Sequence, residues 1–372
     1  MNSGSADNQS EVVESQEKII DQVKKILLRL GFLRDDQDSL SHIHLALQAF
    51  QQERGLTVDG ELSAQTIQAL DEARWKLGDR VLTYIPQKML RGDDVANLQT
   101  RLLEMGFNTG RVDGIFGPGT EKAVKDFQRS VGANADGSCG PQTLIALMRL
   151  SRTISGGLPN KLREEVVRKQ HGPALSNKVI VIDPSSEVGD RNIAFDIAHR
   201  LEGRLIAIGV TVILTRGEQE DLSELERVER CNSAHPDLVI SIGCDTSPHE
   251  NARGVATYFY GSEHLGRHSL IGERFAQLLH SEIVSRTDLL NCRTHPKSWD
   301  FLRLTRSPAV RIDLGYLSNP GDVSRLSNPQ FRDTVVEGML VAIQRLYLSD
   351  EDDAKTGTLK ISDLKKLGIR RS

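Results

Sequence analysis

Residues 179–186 read Val179-Ile180-Val181-Ile182-Asp183-Pro184-Ser185-Ser186. Four consecutive β-branched apolar side chains closed by an Asp-Pro turn signal describe a strand buried on both faces, not an alternating edge strand. Comparable apolar runs occur at 210–214, 238–242, 255–260 and 310–314. Helical patterns lie near 190–207, 222–234, 267–285 and 329–347. Strand alternating with helix predicts an α/β domain over 178–348 whose sheet is mostly parallel. In such sheets the residues that follow the strands at their C-terminal ends build the site.

Upstream the pattern changes to a helical period and repeats. Ile20, Val23, Leu27 and Leu30 precede Gly31-Phe32, and Val95, Leu98, Leu102 and Met105 precede Gly106-Phe107 at the same spacing. Each set marks one face of an amphipathic helix closed by glycine. Phe50-Gln51, Gly55, Asp59-Gly60 and Thr66 are answered by Phe127-Gln128, Gly132, Asp136-Gly137 and Thr143. The Asp-Gly pairs are turn signals. Two copies are too few for a solenoid, so they predict two small all-α three-helix modules, at 16–78 and 79–150. The repeated apolar positions are helix core and carry no ligand. Residues 1–15 are expected to be disordered. Residues 151–177, with Gly156-Gly157, Pro159 and Pro173, read as a linker, and 349–372 as a flexible tail.

Composition narrows the function classes. The 372 residues are 38% hydrophobic and 26% charged, with 31 Gly and 12 Pro, which excludes collagen-like and wholly disordered chains. Lys plus Arg number 47 against 51 Asp plus Glu, a net charge of −4, so no nucleic-acid partner is expected. Cys139, Cys231, Cys244 and Cys292 show no CxxC spacing and read as reduced thiols. The first 15 residues are polar, and no run approaches the roughly 18 apolar residues of a membrane span. A cytoplasmic location is the expectation.

Several segments carry a family resemblance. Gly92-Asp93-Asp94-Val95, Leu98-Gln99 and Val112-Asp113-Gly114-Ile115-Phe116-Gly117-Pro118-Gly119-Thr120 resemble the peptidoglycan-binding domain type 1. The first copy departs from it, with Arg34-Asp35-Asp36-Gln37-Asp38-Ser39-Leu40 in place of the Asp-Gly-x-Phe-Gly segment. In the α/β domain four segments occur in family order. They are Val181-Ile182-Asp183-Pro184, Leu214-Thr215-Arg216, Asp237 to Ile242, and Pro308-Ala309-Val310 followed by Asp313 to Asn319. Together they resemble the zinc-dependent N-acetylmuramoyl-L-alanine amidases of type 3. Those enzymes cleave the amide between muramic acid and the stem peptide with a zinc-polarised water and an assisting glutamate.

The resemblance also fixes which positions should hold the metal, and this chain departs from all of them. Ser186 replaces the first histidine ligand, Asp190 the glutamate ligand, Gly243 the second histidine and Asp313 the catalytic glutamate. Catalytic zinc needs about three His, Cys or carboxylate ligands. The pattern therefore implies a pseudoenzyme with no catalytic residues, no metal and no cofactor. His264 and His268 stand four apart, and His199 and His249 lie near the old site, but none follows a strand-end motif. They read as exposed histidines at a loop and a helix start. Cys244 has no histidine at a triad-like position and reads as an incidental thiol.

The tail carries an acidic block at 350–353 and then Lys355-Thr356-Gly357-Thr358-Leu359-Lys360-Ile361. A phosphate on Thr356 or Thr358 would add close to two negative charges among lysines. Each threonine has a large aliphatic residue three places on, as in phosphothreonine peptides read by forkhead-associated domains. The whole arrangement is similar to actinobacterial cytoplasmic regulators of peptidoglycan synthesis. That resemblance implies a PknB-type Ser/Thr kinase, a MurA-type enolpyruvyl transferase, a forkhead-associated domain protein and the MurJ flippase as partners. It leaves a muramyl-peptide precursor as a ligand of the retained cleft. The competing expectations are a divergent zinc-dependent amidase and a peptidoglycan-binding wall protein.

Overall fold

The computed structural model describes residues 19–34, 37, 39–150, 175, 178–185, 189, 191–249, 251–262 and 267–347. The expected disordered N-terminus, nearly all of the linker and the tail lie outside these residues.

The first module is built from α1 (19–30), α2 (Leu40–Arg54) and α3 (Ala64–Ala73). Ser39 and Ser63 cap α2 and α3 by accepting from the backbone N–H of His42 and Thr66. The second module repeats the plan with α4 (Asp93–Glu104), α5 (Pro118–Ser130) and α6 (Pro141–Leu150). The repeat extends to the cores. Phe32 packs edge-on against Phe50 at 5.6 Å, and Phe107 against Phe127 at 5.5 Å. Gly31 and Gly106 hold φ of +85° and +89°, a left-handed conformation that explains why glycine recurs there.

The repeated glutamines have a purpose that periodicity does not reveal. Gln51 is fully buried and donates to Asp59 Oδ1 (2.7 Å), Glu61 O (3.0 Å) and Thr66 Oγ1 (3.1 Å), and it accepts from Gly60 N (2.7 Å). Gln128 makes the same set with Asp136, Ser138, Thr143 and Gly137. Gln99 makes it again with Asp113, Ile115, Thr120 and Gly114. One buried amide thus satisfies the polar groups of an otherwise uncovered loop. The second module holds two such hubs. In the first module the residue matched to Gln99 is Lys24, which cannot accept from a loop N–H, and the Asp-Gly loop is missing with it.

The α/β domain contains β1 (Val179–Pro184), β2 (Thr211–Leu214), β3 (Leu238–Asp245), β4 (Val255–Ser262), β5 (Arg267–His268), β6 (Asn291–Lys297) and β7 (Ala309–Tyr316). Its helices are α7 (Arg191–Ala207), α8 (Glu224–Ser233), α9 (Leu270–Arg286), α10 (Asp300–Leu304), α11 (Pro320–Ser327) and α12 (Pro329–Tyr347). The sheet order is β2-β1-β3-β7-β4, with β6 and the short β5 both pairing β4. Strands β2, β1, β3 and β7 are parallel, while β4 runs antiparallel to β7. The expected mostly parallel sheet is present. The helix expected from residue 267 begins instead at Leu270, because Arg267 and His268 pair with β4.

Alternation divides the sheet into two faces. Ile180, Ile182, Ile240, Ile242, Val310 and Ile312 pack against α7, α9 and α12. Each fully buried side chain of this kind contributes about 1.5–3 kcal/mol. Val181, Val239, Ala309 and Tyr258 face the other way, against Val228 and Cys231 of α8 and Phe301 and Leu302 of α10. The second face carries the candidate site.

Candidate functional site

Asp183 closes β1 as a fully buried hub. It accepts from Thr215 Oγ1 beyond β2 (2.6 Å), Arg227 NH1 on α8 (2.6 Å) and Ser241 Oγ on β3 (2.8 Å). A buried carboxylate persists when it is paired and hydrogen-bonded, and three donors meet that need here. Helix α8 is oriented for the task by a capping box in which Ser223 and Glu226 satisfy each other's backbone N–H. Arg216, also buried, donates to the carbonyls of Pro184 (3.0 Å), Ser185 and Arg191 (3.0 Å), so it clamps the chain that leaves β1.

The neighbouring strands bring two sequence-predicted positions together. In the β3–β7 register Gly243 stands opposite Asp313, and on the other side Asp313 faces Ala256 of β4. One neighbour offers no side chain and the other a methyl group. The Asp313 carboxylate, in a residue only 4% exposed, accepts from Arg311 Nε at 2.9 Å. Two residues apart on one strand, these side chains share a face. The Arg311 guanidinium also lies 5.9 Å from the centre of the Trp299 ring, which packs at 4.6 Å on Tyr258. Burial, reinforced by Asp313, Tyr316 and Asp245, drives the Tyr258 phenol far above its ordinary range. Burial and then Asp245 push Tyr316 up to about 12. Both phenols are neutral. Glu224 at the start of α8 is raised by burial, with Asp300 adding to the rise and Arg227 and Arg311 opposing it. The face therefore alternates carboxyl groups with the two arginines.

Of the other expected positions, Ser186, Asp190, His264, Thr356 and Thr358 lie outside the described residues. His268 stands in β5, not on a helix, and pairs with Glu273 at 3.0 Å, so a helical i, i+4 metal pair with His264 is ruled out. Exposed His199 pairs with Glu202 at 3.0 Å, and His249 is exposed beyond β3. Cys244 points into the core on the opposite face from the site. Cys139 and Cys231 are also buried, and Cys292 is half-buried.

The family's zinc can be tested against these side chains. Gly243 has no donor atom, Asp313 is held by Arg311, and Asp183 is spent on three hydrogen bonds. Among the described residues no group of three His, Cys, Asp or Glu side chains could hold a metal ion. Among the described residues the donor set does not fit zinc, and Ser186 and Asp190 lie outside them. The residues that sequence reasoning missed here are Arg311, Arg227, Glu224 and Trp299. Arg311 left a signal, since it is a charge inside an apolar strand run two places before a carboxylate.

Comparison with known proteins agrees with this architecture. The sequence profile of the N-acetylmuramoyl-L-alanine amidases matches residues 171–345, and that of the peptidoglycan binding domain matches 16–70 and 91–147. The chain is 40% identical over 371 residues to the N-acetylmuramoyl-L-alanine amidase CwlM of Mycobacterium tuberculosis, covering 93% of this chain and 91% of that protein. It is 25% identical over 206 residues to the germination-specific N-acetylmuramoyl-L-alanine amidase of Bacillus subtilis, covering 48% and 83%. A solved N-acetylmuramoyl-L-alanine amidase of Clostridium difficile superposes with a TM-score of 0.42 at 21% identity, over 45% of this chain and 95% of that one. With two peptidoglycan-binding-type modules ahead of an amidase-like α/β domain, the chain belongs to the N-acetylmuramoyl-L-alanine amidase family.

Proposed function

We propose that this chain is a pseudoenzyme that regulates peptidoglycan precursor synthesis from the cytoplasm. Phosphorylated on Thr356 or Thr358 by a PknB-type Ser/Thr kinase, it stimulates a MurA-type enolpyruvyl transferase. It also gathers a forkhead-associated domain protein and the MurJ flippase. The observation that carries the loss of hydrolysis is the Arg311–Asp313 pair opposite Gly243. A general base must be available to a water proton, and a carboxylate bound to a guanidinium at 2.9 Å is already engaged. Aspartate is also one methylene shorter than glutamate, and misplacement by about 1 Å costs on the order of a hundredfold in rate. Gly243 removes a ligand outright. The kinase and the transferase rest on the whole-chain likeness and on the two tail threonines among lysines.

Turnover of the transferase in the presence of unmodified chain, phosphorylated chain and the Thr356→Ala/Thr358→Ala variant treated with kinase tests this reading. Only the phosphorylated chain should raise turnover. Equal turnover in all three arms contradicts the regulatory reading. The name of the 40% identical relative favours a second reading, a divergent amidase. Its test is hydrolysis itself.

A further inference from the structure

In the loop that carries the peptidoglycan-binding signature of the second module, residues 111–117 are buried or half-buried. The loop lies against α10 of the amidase-like domain. Arg111 NH1 donates to the carbonyls of Leu302 (3.1 Å) and Thr305 (2.7 Å), the acceptors left open where a short helix ends. Its guanidinium sits 3.9 Å from the centre of the Tyr260 ring, and Tyr260 Oη donates to Val112 O at 3.4 Å. Arg303 Nε donates to Asp113 O at 2.7 Å, while its NH1 pairs with Glu72 of the first module at 2.7 Å. Both members of that ion pair are only 11% exposed, so solvent screens it little. Gly114, at φ +73°, admits this approach. A Cβ there would stand 3.1 Å from Gly92 O and 3.2 Å from the Arg303 NH2. A second contact joins the first module to the same segment, where Ser298 Oγ donates to Arg54 O at 2.6 Å.

We infer that the loop from Arg111 to Gly114 is an interdomain latch, and that it is closed to an external glycan or peptide while it grips α10. Its carbonyls at 112 and 113 already accept from Tyr260 Oη and Arg303 Nε, and Gly114 is buried against Gly92 O and Arg303, so α10 and Tyr260 cover this stretch of the loop. The latch also reaches the Arg311–Asp313 pair. Trp299 stands at the N-cap position of α10 and its ring lies against both Tyr258 and Arg311, so release of α10 frees the ring that backs the Arg311–Asp313 pair. This inference rests on interdomain contacts alone and is independent of the regulatory reading.

The test uses the full chain in a Trp75→Phe background, which leaves Trp299 as the single tryptophan. Arg111→Met removes two donated bonds and the contact with the Tyr260 ring, Arg303→Met removes the bond to Asp113 O and the pair with Glu72, and Glu72→Gln removes that ion pair without touching the loop. Each should raise the open fraction about tenfold, shift Trp299 emission to the red, and increase co-sedimentation with purified peptidoglycan sacculi. Retained cooperative melting identifies the variants that are folded. Parent protein that sediments as fully as the folded variants overturns the latch. So does unshifted Trp299 emission in all three variants, or shifted emission with no gain in sedimentation.

Discussion

Arg311 lies two residues before Asp313, and its guanidinium binds that carboxylate from the same strand face. Removing one partner of a buried pair leaves the other charge without compensation and costs about 3 kcal/mol. Arg311→Met should therefore lower stability by about that amount in chemical denaturation. Arg311→Met/Asp313→Asn should recover most of the loss. A double variant as unstable as the single one would show that the pair contributes nothing. Gly243 and Asp313 were legible in the sequence because each follows a recognisable apolar strand run. Their facing each other was not, since strand register depends on the whole sheet. The partnership of Arg311 with Asp313 required knowing which strand face turns inward over α8 and α10.

At the scale of elements, α7 and α12 meet through Asp196, which accepts from Arg200 Nε at 2.7 Å and from Arg332 NH1 at 2.8 Å. Burial works against its ionisation, but the hydrogen bonds from Arg200 and Arg332 outweigh that and hold its pKa below the ordinary 3.8. The sign follows from linkage. A depressed folded pKa gives stability that is complete above 3.8 and is lost as pH falls through the folded value. Because Asp196 is one-third exposed, the contribution is under about 1 kcal/mol. Melting measured between neutral pH and strong acid should fall less steeply below 3.8 for Asp196→Asn than for the parent chain. Equal slopes would remove Asp196 from the acid response. The long elements were legible because their apolar period spans several turns or a full buried strand. Strand β6 was not, since Asn291 to Lys297 is polar, contains Pro296 and bends at Arg293 with φ +67°. It is held by contacts from elsewhere, including Thr294 to Thr257 at 2.9 Å and Asn291 to His280 at 2.8 Å. Helix α10, at five residues, is too short to show a period. Helix α11 did leave a signal, an Asn319-Pro320 cap, which reads equally well as part of a loop motif. The Asp-Gly turns were visible, whereas the buried glutamines that tie them down emerge only from three-dimensional contacts.

At the scale of the molecule, two helical modules and the amidase-like domain converge on one short helix through Arg303, Arg111 and Ser298. Among the described residues no helix is long and apolar enough to cross a membrane. The sheet, its helices and the Asp183 hub keep the amidase-like scaffold intact, with Gly243 standing opposite an Asp313 that is paired with Arg311. The most direct measurement incubates the full chain with soluble muropeptides and added zinc and follows release of the stem peptide by chromatography. The expected result is release no greater than in a protein-free control, with or without chelator. Zinc-dependent release that chelator abolishes, and that Asp313→Asn eliminates, would contradict it.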